Sequence, residues 1–255
     1  MNEFTKQALA EKLLSMADDE LILGHRNSEW TGHAPILEED IAFANIAQDE
    51  IGHAVIWLQL REALTGETAD PLVFFRRADE YGNTQFVELP KGDWAFSMMR
   101  QYLFDTWEMI TLTHLQKSSY RPVAEAAAKM RNEELYHFRH TSAWLKRLGL
   151  GTDESNGRLQ HALNDLWPYV HQLFVLLPNE AVLIETGIVP DQTAVYHQWQ
   201  EIVFPFLIEV NLKQPTEQPP DQSPPTTQRK EHTPHLAALL REMQEVARLD
   251  PQAEW

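Results

Sequence analysis

The chain has 255 residues and a formal net charge of -17 at neutral pH, with 38 Asp and Glu against 21 Lys and Arg. That balance argues against a nucleic-acid binder, which needs clustered Lys and Arg to meet phosphate, and makes the surface as a whole repel phosphorylated small molecules outside a local basic patch. Cysteine is absent, which removes thiolate catalysis, zinc-thiolate and iron-sulfur ligation and disulfides together, while an apolar fraction of 43% supplies an ample core.

The N-terminal stretch from Met1 to Met16 is polar and amphipathic. No apolar run approaches the roughly 18–20 residues of a membrane span, so neither signal peptide nor membrane segment is expected and the cytoplasm is the default compartment. Glycine is scarce and alternating β-branched runs are nearly missing, whereas segments of 3.6-residue period dominate. The expected fold class is all-α.

The first predicted helix runs from Thr5 to about Arg26, with Leu9, Leu13, Met16, Glu20 and Leu23 on one face. It ends in an irregular stretch broken by Gly32 and Pro35. The second, Ile36 to Leu64, places Phe43, Ile46, Glu50, His53, Trp57, Leu60 and Leu64 on its apolar face. A crossover of about 28 residues follows, with a short helix inside it, and ends at Asp93, a suitable N-cap. The third helix, Trp94 to about Lys117, aligns Met98, Tyr102, Asp105, Met109 and Leu112. The fourth opens near Pro122 and runs to Leu148 with Val123, Ala127, Met130, Glu134, His137, Thr141, Trp144 and Leu148 inward. Short, long and short connections between four helices are the pattern of a ferritin-like four-helix bundle.

Beyond Gly151 two further helices are expected, Gly157 to Leu177 and Thr193 to Leu212, kinked at Pro168 and Pro205. Five prolines with Gln, Ser and Thr make residues 215–230 an extended linker or surface arm. A last amphipathic helix spans Thr233 to Leu249. The whole reads as one ferritin-like domain over 1–255, with the bundle at 5–150 and a helical extension at 151–255.

Two Glu-x-x-His sets interrupt the apolar stripes, Glu50 with His53 and Glu134 with His137. Roughly one match is expected by chance in such a chain, so the setting matters more than the motif. Each set follows a helix carrying a lone inward carboxylate, and the spacings nearly repeat: Glu20 precedes Glu50 by 30 residues and Asp105 precedes Glu134 by 29. Burying six ionisable groups on four inward faces is costly without cations. Two carboxylates plus two Glu-x-x-His sets is the donor arrangement of di-iron and di-manganese carboxylate sites. Carboxylates bridge two hard cations and imidazoles terminate them, leaving positions for dioxygen. The candidate metal ligands are therefore Glu20, Glu50, His53, Asp105, Glu134 and His137, for two iron or manganese ions. Glu108, one turn beyond Asp105, rivals it. A ligating imidazole needs an acceptor on its other nitrogen, and Asp49 and Glu133 are placed for that role. At Glu20 the bland alternative is a surface residue in the acidic run with Asp18 and Asp19. An internal ion-pair network could replace the metals, but no Lys or Arg falls on the inward stripes. His232 and His235, on either side of Pro234, are weak candidates for adventitious metal.

The stretches Glu29-Trp30-Thr31-Gly32-His33-Ala34-Pro35, Arg100-Gln101-Tyr102 and Trp144-Leu145-Lys146-Arg147-Leu148-Gly149 with Gly151-Thr152 resemble the C subunits of the bacterial phenylacetyl-CoA epoxidase. So does the end from His235-Leu236 to Glu242-Met243-Gln244, closing on Trp255. The resemblance covers the whole chain. It implies a ferritin-like component of a multicomponent monooxygenase of aerobic phenylacetate catabolism, a hetero-oligomer in the cytoplasm. The homologous A subunit would carry the working di-iron centre and bind acyl-CoA, and a reductase subunit would deliver electrons through the complex. This chain would be the structural and regulatory partner of the A subunit, a role that the acidic surface and the lack of a basic acyl-CoA patch suit. C subunits commonly have an eroded metal site, whereas here the donor set is complete. The alternative implied is a chain that is itself a di-iron oxygenase; iron storage or a bare helical scaffold suits the long C-terminal extension less well.

Overall fold

A computed structural model describes residues 1–215, 228–251 and 253. Most of the expected Pro-rich linker and the closing Trp255 lie outside the described residues. Every regular element among those described is helical. The four long helices are α1 (Glu3–Ser28), α2 (Leu37–Thr65), α5 (Trp94–Leu115) and α6 (Arg121–Gly149), with α3 (Ala69–Phe74), a 3₁₀ turn (Ala78–Glu80) and α4 (Gln85–Glu88) in the crossover. The extension comprises α7 (Asp153–Val170), a 3₁₀ turn (His171–Phe174), α8 (Ala181–Glu185), α9 (Gln192–Glu209), α10 (Pro234–Met243) and α11 (Glu245–Leu249).

Local chemistry sets the helix ends. Asn2 accepts from the Thr5 N–H at 2.8 Å and Asp93 from the Phe96 N–H at 2.9 Å, each supplying one of the acceptors that a helix N-terminus lacks. α2 stops at Gly66, whose φ of 79° lets its N–H turn back to the Glu62 carbonyl at 2.7 Å. α7 and α9 run through Pro168 and Pro205, and α7 tightens into the 3₁₀ turn three residues past its proline. The final expected helix is two pieces, α10 and α11, separated at Gln244. The buried amide of Gln244 donates to the Val73 and Arg76 carbonyls at 3.0 and 3.1 Å. α8, five residues long, has no counterpart in the sequence pattern.

α1 pairs with α2, α5 pairs with α6, and the two hairpins meet along α2 and α6, giving the ferritin-like bundle. α7 and α9 pack on α5, so this third helix of the bundle is covered on its outer side as well. Trp199 of α9 donates its indole N–H to the Leu103 carbonyl at 3.1 Å, fixing that contact. α1 is enclosed for most of its length: Asp18, Asp19 and Glu20 are all buried, so the acidic run does not face solvent. Asp18 receives the guanidinium of Arg76 and the Gly82 N–H from the crossover. Asp19 receives the Thr84 N–H at 2.7 Å and Arg229 at 2.5 Å. The segment after residue 228 thus closes over the crossover, where His232 meets Glu88 at 3.0 Å and the Tyr81 carbonyl at 3.1 Å. Those contacts engage both nitrogens of the ring.

Candidate metal centre

Seven ionisable side chains converge at one level of the bundle: Glu20 from α1, Glu50 and His53 from α2, Asp105 and Glu108 from α5, and Glu134 and His137 from α6. None exposes more than 3% of its surface, so the cluster is shielded from bulk solvent. Helical geometry places them. Glu50 and His53, like Glu134 and His137, are three residues apart and point inward over adjacent turns of helices that meet face to face.

Two compact groups of ligand-capable atoms form, each with its members within 4.8 Å of one another: Glu20, Glu50, His53 and Glu108 in one, Glu50, Asp105 and His137 in the other. Glu50 is common to both. Asp105 and Glu108 thus fall in different groups. Glu134 stands outside both groups and between them, with its Oε1 2.7 Å from His137 Nδ1 and 3.8 Å from His53 Nδ1. The imidazoles lie 6.2 Å apart between ring centroids.

The outer nitrogens of both rings cross the hairpin boundary. His53 Nε2 is 2.9 Å from Glu133 Oε2, and His137 Nε2 is 3.1 Å from Asp49 Oδ2. Each acidic residue that precedes an inward Glu thus holds the imidazole of the opposite helix. With Nε2 donating outward, Nδ1 is left as a lone-pair donor facing the centre.

Three side chains that the charge pattern does not single out complete the surroundings. Gln101, buried on α5, donates its amide to Glu50 Oε1 at 2.5 Å and to Asp105 Oδ1 at 2.6 Å. Asn27 of α1 donates to the Gln101 carbonyl at 2.6 Å. Thr141 donates to Asp105 Oδ2 at 2.8 Å. The available signal for Gln101 is its place four residues before Asp105, on the same face of the helix.

Burial pushes the carboxyls of Glu20, Asp105 and Glu108 well above the ordinary range, and neighbouring acids add to it: Glu50 acts on Glu20, and Glu134 on Asp105 and Glu108. Glu50 is raised as well, by burial first and then by Glu134. At the imidazoles burial acts downward and is the largest single influence. The surrounding carboxylates outweigh it, so His53 is raised by Glu108, Glu134 and Glu50, and His137 well raised by Glu134 and Asp49. Among the described residues no Lys or Arg pairs with these acids; Glu20, Glu50 and Glu134 have His53 and His137 as ion-pair partners.

The donor set fits a metal. Glu20 Oε2, Glu50 Oε2, His53 Nδ1, Glu108 Oε2, both Glu134 oxygens and His137 Nδ1 are buried without a hydrogen-bond partner. Orphaned atoms of this kind cost about 1–3 kcal/mol each, more when charged, and a divalent cation compensates several at once. Carboxylate oxygen with imidazole nitrogen suits iron and manganese.

Away from the centre, a groove of about 880 Å³ is lined by Arg76, Arg77, Arg241 and Arg248, together with Glu242 and Glu245. The acidic chain therefore does carry a local concentration of arginine, assembled from the crossover and α10–α11. Arg76 is engaged by Asp18, Arg77 by Asp79, and Arg248 by the Phe74 and Arg76 carbonyls.

No helix among the described residues is long and apolar enough to cross a membrane. The chain is 37% identical over 257 aligned residues, spanning the full length of both proteins, to the C subunit of the 1,2-phenylacetyl-CoA epoxidase of Escherichia coli K12. It is also 24% identical over 170 residues to the A subunit of the same enzyme from that organism, covering 66% of this chain and 54% of its relative. The family model described as phenylacetic acid catabolic protein matches residues 1–255. The chain belongs to the phenylacetic acid catabolic protein family.

Proposed function

We propose that this chain is the C-type component of a phenylacetyl-CoA epoxidase, a cytoplasmic monooxygenase assembly of phenylacetate catabolism, and serves there as the structural and regulatory partner of a homologous catalytic subunit. The observation that carries this reading is the end-to-end match to the C subunit of the Escherichia coli enzyme, beside a shorter and weaker match to its A subunit. Co-expression with an A-type partner should give a complex that co-elutes on gel filtration, and the purified chain alone should not epoxidise phenylacetyl-CoA. Persistent monomer in that mixture refutes the reading.

The orphaned donors favour a second reading, in which the chain itself bears metal. Glu20, Glu50, His53, Asp105, Glu108, Glu134 and His137 would hold the iron or manganese, and Asp49 and Glu133 would orient the two imidazoles. Bound in the reduced state, such a centre supplies dioxygen activation. The chain's own contribution is a buried, preorganised set of donors whose carboxyl protons leave when a cation enters. Anaerobic loading with ferrous iron followed by elemental analysis tests this reading, and a chain that retains no metal overturns it.

A further inference from the structure

The two halves of the centre are not equally ready for a cation. In the half formed by Glu20, Glu50, His53 and Glu108, every residue presents one buried atom that receives no hydrogen bond from an amide, hydroxyl or cationic side chain: Oε2 of each glutamate and Nδ1 of His53. Four donors from three helices converge there, and the Glu20 carboxyl meets only those of Glu50 and Glu108, contacts that hold through shared protons and that a cation can replace. In the other half the corresponding oxygens are taken. Glu50 Oε1 and Asp105 Oδ1 both accept from the one Gln101 amide, at 2.5 and 2.6 Å, and Asp105 Oδ2 accepts from Thr141 at 2.8 Å. The remaining donor, His137 Nδ1, lies 2.7 Å from Glu134 Oε1 and, like His53 Nδ1, makes no hydrogen bond, so the two halves differ in their carboxylate oxygens.

Gln101 is held in this orientation. Its carbonyl accepts from Asn27 Nδ2 at 2.6 Å, so turning the amide over would lose that bond and set a carbonyl oxygen against two carboxyl groups. A cation seated beside Glu50 and Asp105 would have to expel Gln101 Nε2, breaking two donated hydrogen bonds and stranding a fully buried amide. The first half imposes no such requirement.

We propose that the centre holds a single divalent transition-metal ion, bound by Glu20, Glu50, His53 and Glu108, while the Gln101 amide fills the second position between Glu50 and Asp105. This rests on the metal-bearing reading and narrows it from a two-metal to a one-metal site. The doubled sequence pattern then yields one cation site and one hydrogen-bonded imitation of it.

The test is Mn²⁺ loading of the full-length metal-free chain, read by elemental analysis and by electron paramagnetic resonance. Wild type should bind about one Mn²⁺ per chain with an uncoupled six-line spectrum. Gln101→Glu replaces the amide with a further anionic donor of the same size, and Gln101→Ala vacates the position; either should raise the content to about two ions and suppress the six-line signal through coupling of adjacent spins. Two coupled ions in wild type overturn the one-metal inference and leave the metal-bearing reading intact. A wild type that binds none, with both variants folded and equally empty, overturns the metal-bearing reading itself. One ion in wild type and still one in both variants overturns the role assigned to Gln101. Circular dichroism of each variant separates these results from loss of fold, and the pair of variants keeps the test decisive if one fails to fold.

Discussion

Gly24 lies where α1 approaches α2 closely, one turn beyond Glu20, and replacing it with alanine tests whether that approach holds the metal donors in place. A Cβ at Gly24 would stand 2.9 Å from Ile51 Cγ1, 3.0 Å from the Ala47 carbonyl oxygen and 3.2 Å from Glu50 Cβ. Ile51 is half-buried and can turn its side chain away, but the Ala47 carbonyl belongs to the α2 backbone and cannot. Overpacking of this kind costs about 1–3 kcal/mol, and the better helix propensity of alanine returns about 1 kcal/mol. The net expectation is a loss of about 1 kcal/mol, a fall of roughly 2–4 °C in melting temperature for a chain of this size. A second effect separates this from generic destabilisation. The added methyl pushes α1 away from α2 at the level of Glu50, so Mn²⁺ affinity should fall about tenfold as Glu20 and Glu50 part. Gly52→Ala is the control: it lies on α2 two residues from Glu50, and its Cβ would meet nothing within 4 Å. That variant should gain up to about 1 kcal/mol and bind Mn²⁺ as wild type does. Urea unfolding of the metal-free chains and Mn²⁺ titration give both quantities. A Gly24→Ala variant as stable as Gly52→Ala, with unaltered affinity, refutes the reasoning.

The ion pair between Lys12 and Glu180, at 2.7 Å with both side chains buried, joins α1 to the start of α8. Lys12→Met should cost about 3–5 kcal/mol at pH 7, because it strands a buried carboxylate. Burial alone would raise the Glu180 carboxyl, but Lys12 outweighs it and holds the group below its ordinary value. Its stabilising contribution is therefore present above the unfolded carboxyl pKa and lost as pH falls through the folded one, so the gap between wild type and Lys12→Met should close on acidification in parallel urea titrations. Glu133→Ala should weaken Mn²⁺ binding by about 10–100-fold with the fold intact, since it frees the outer nitrogen of His53, whereas Asp49→Ala, which frees His137 in the half without the ion, should leave the affinity near that of wild type; titration calorimetry reads both directly. In the metal-free chain the acids of the centre are raised, so their contribution to stability is full below the unfolded carboxyl pKa and lost as pH rises towards their folded values. Bound Mn²⁺ removes that loss, and the rise in melting temperature on adding Mn²⁺ should be larger at pH 8 than at pH 5.5 by differential scanning calorimetry.

The four long helices are legible because each carries an apolar stripe of helical period, and the structure ends them within a few residues of the sequence expectation. What the pattern hides are contacts made over long separations. Asp18 and Asp19 read as solvated charge because their partners, Arg76 and Arg229, lie 58 and 210 residues away. The arginine-lined groove is hidden in the same way, since the crossover and α10–α11 meet only in the folded chain. α8 is too short to show a period, and the break at Gln244 follows from a side chain pulled inward to two carbonyls rather than from any local helix stop.

At the centre, the repeated spacing of Glu20 to Glu50 and Asp105 to Glu134 makes the convergence of six groups readable, and adjacency marks Asp49 and Glu133 as imidazole partners, while only the structure shows that each meets the ring of the opposite helix. The same repeat misleads in one respect. It suggests two equivalent halves, each built by its own hairpin, and forces a choice between Asp105 and Glu108. A helix places residues three apart on one face, so α5 presents both, and Glu108 crosses to the half built by the first hairpin. Gln101, a turn earlier, then meets Asp105 and Glu50 from the other side. An amide among carboxylates has no signature in a sequence, since the same residue in any core face reads as a satisfied polar group. Its distances to Glu50 Oε1 and Asp105 Oδ1 reveal the bridge, and with it a difference between the two halves that the repeated spacing in the sequence does not carry.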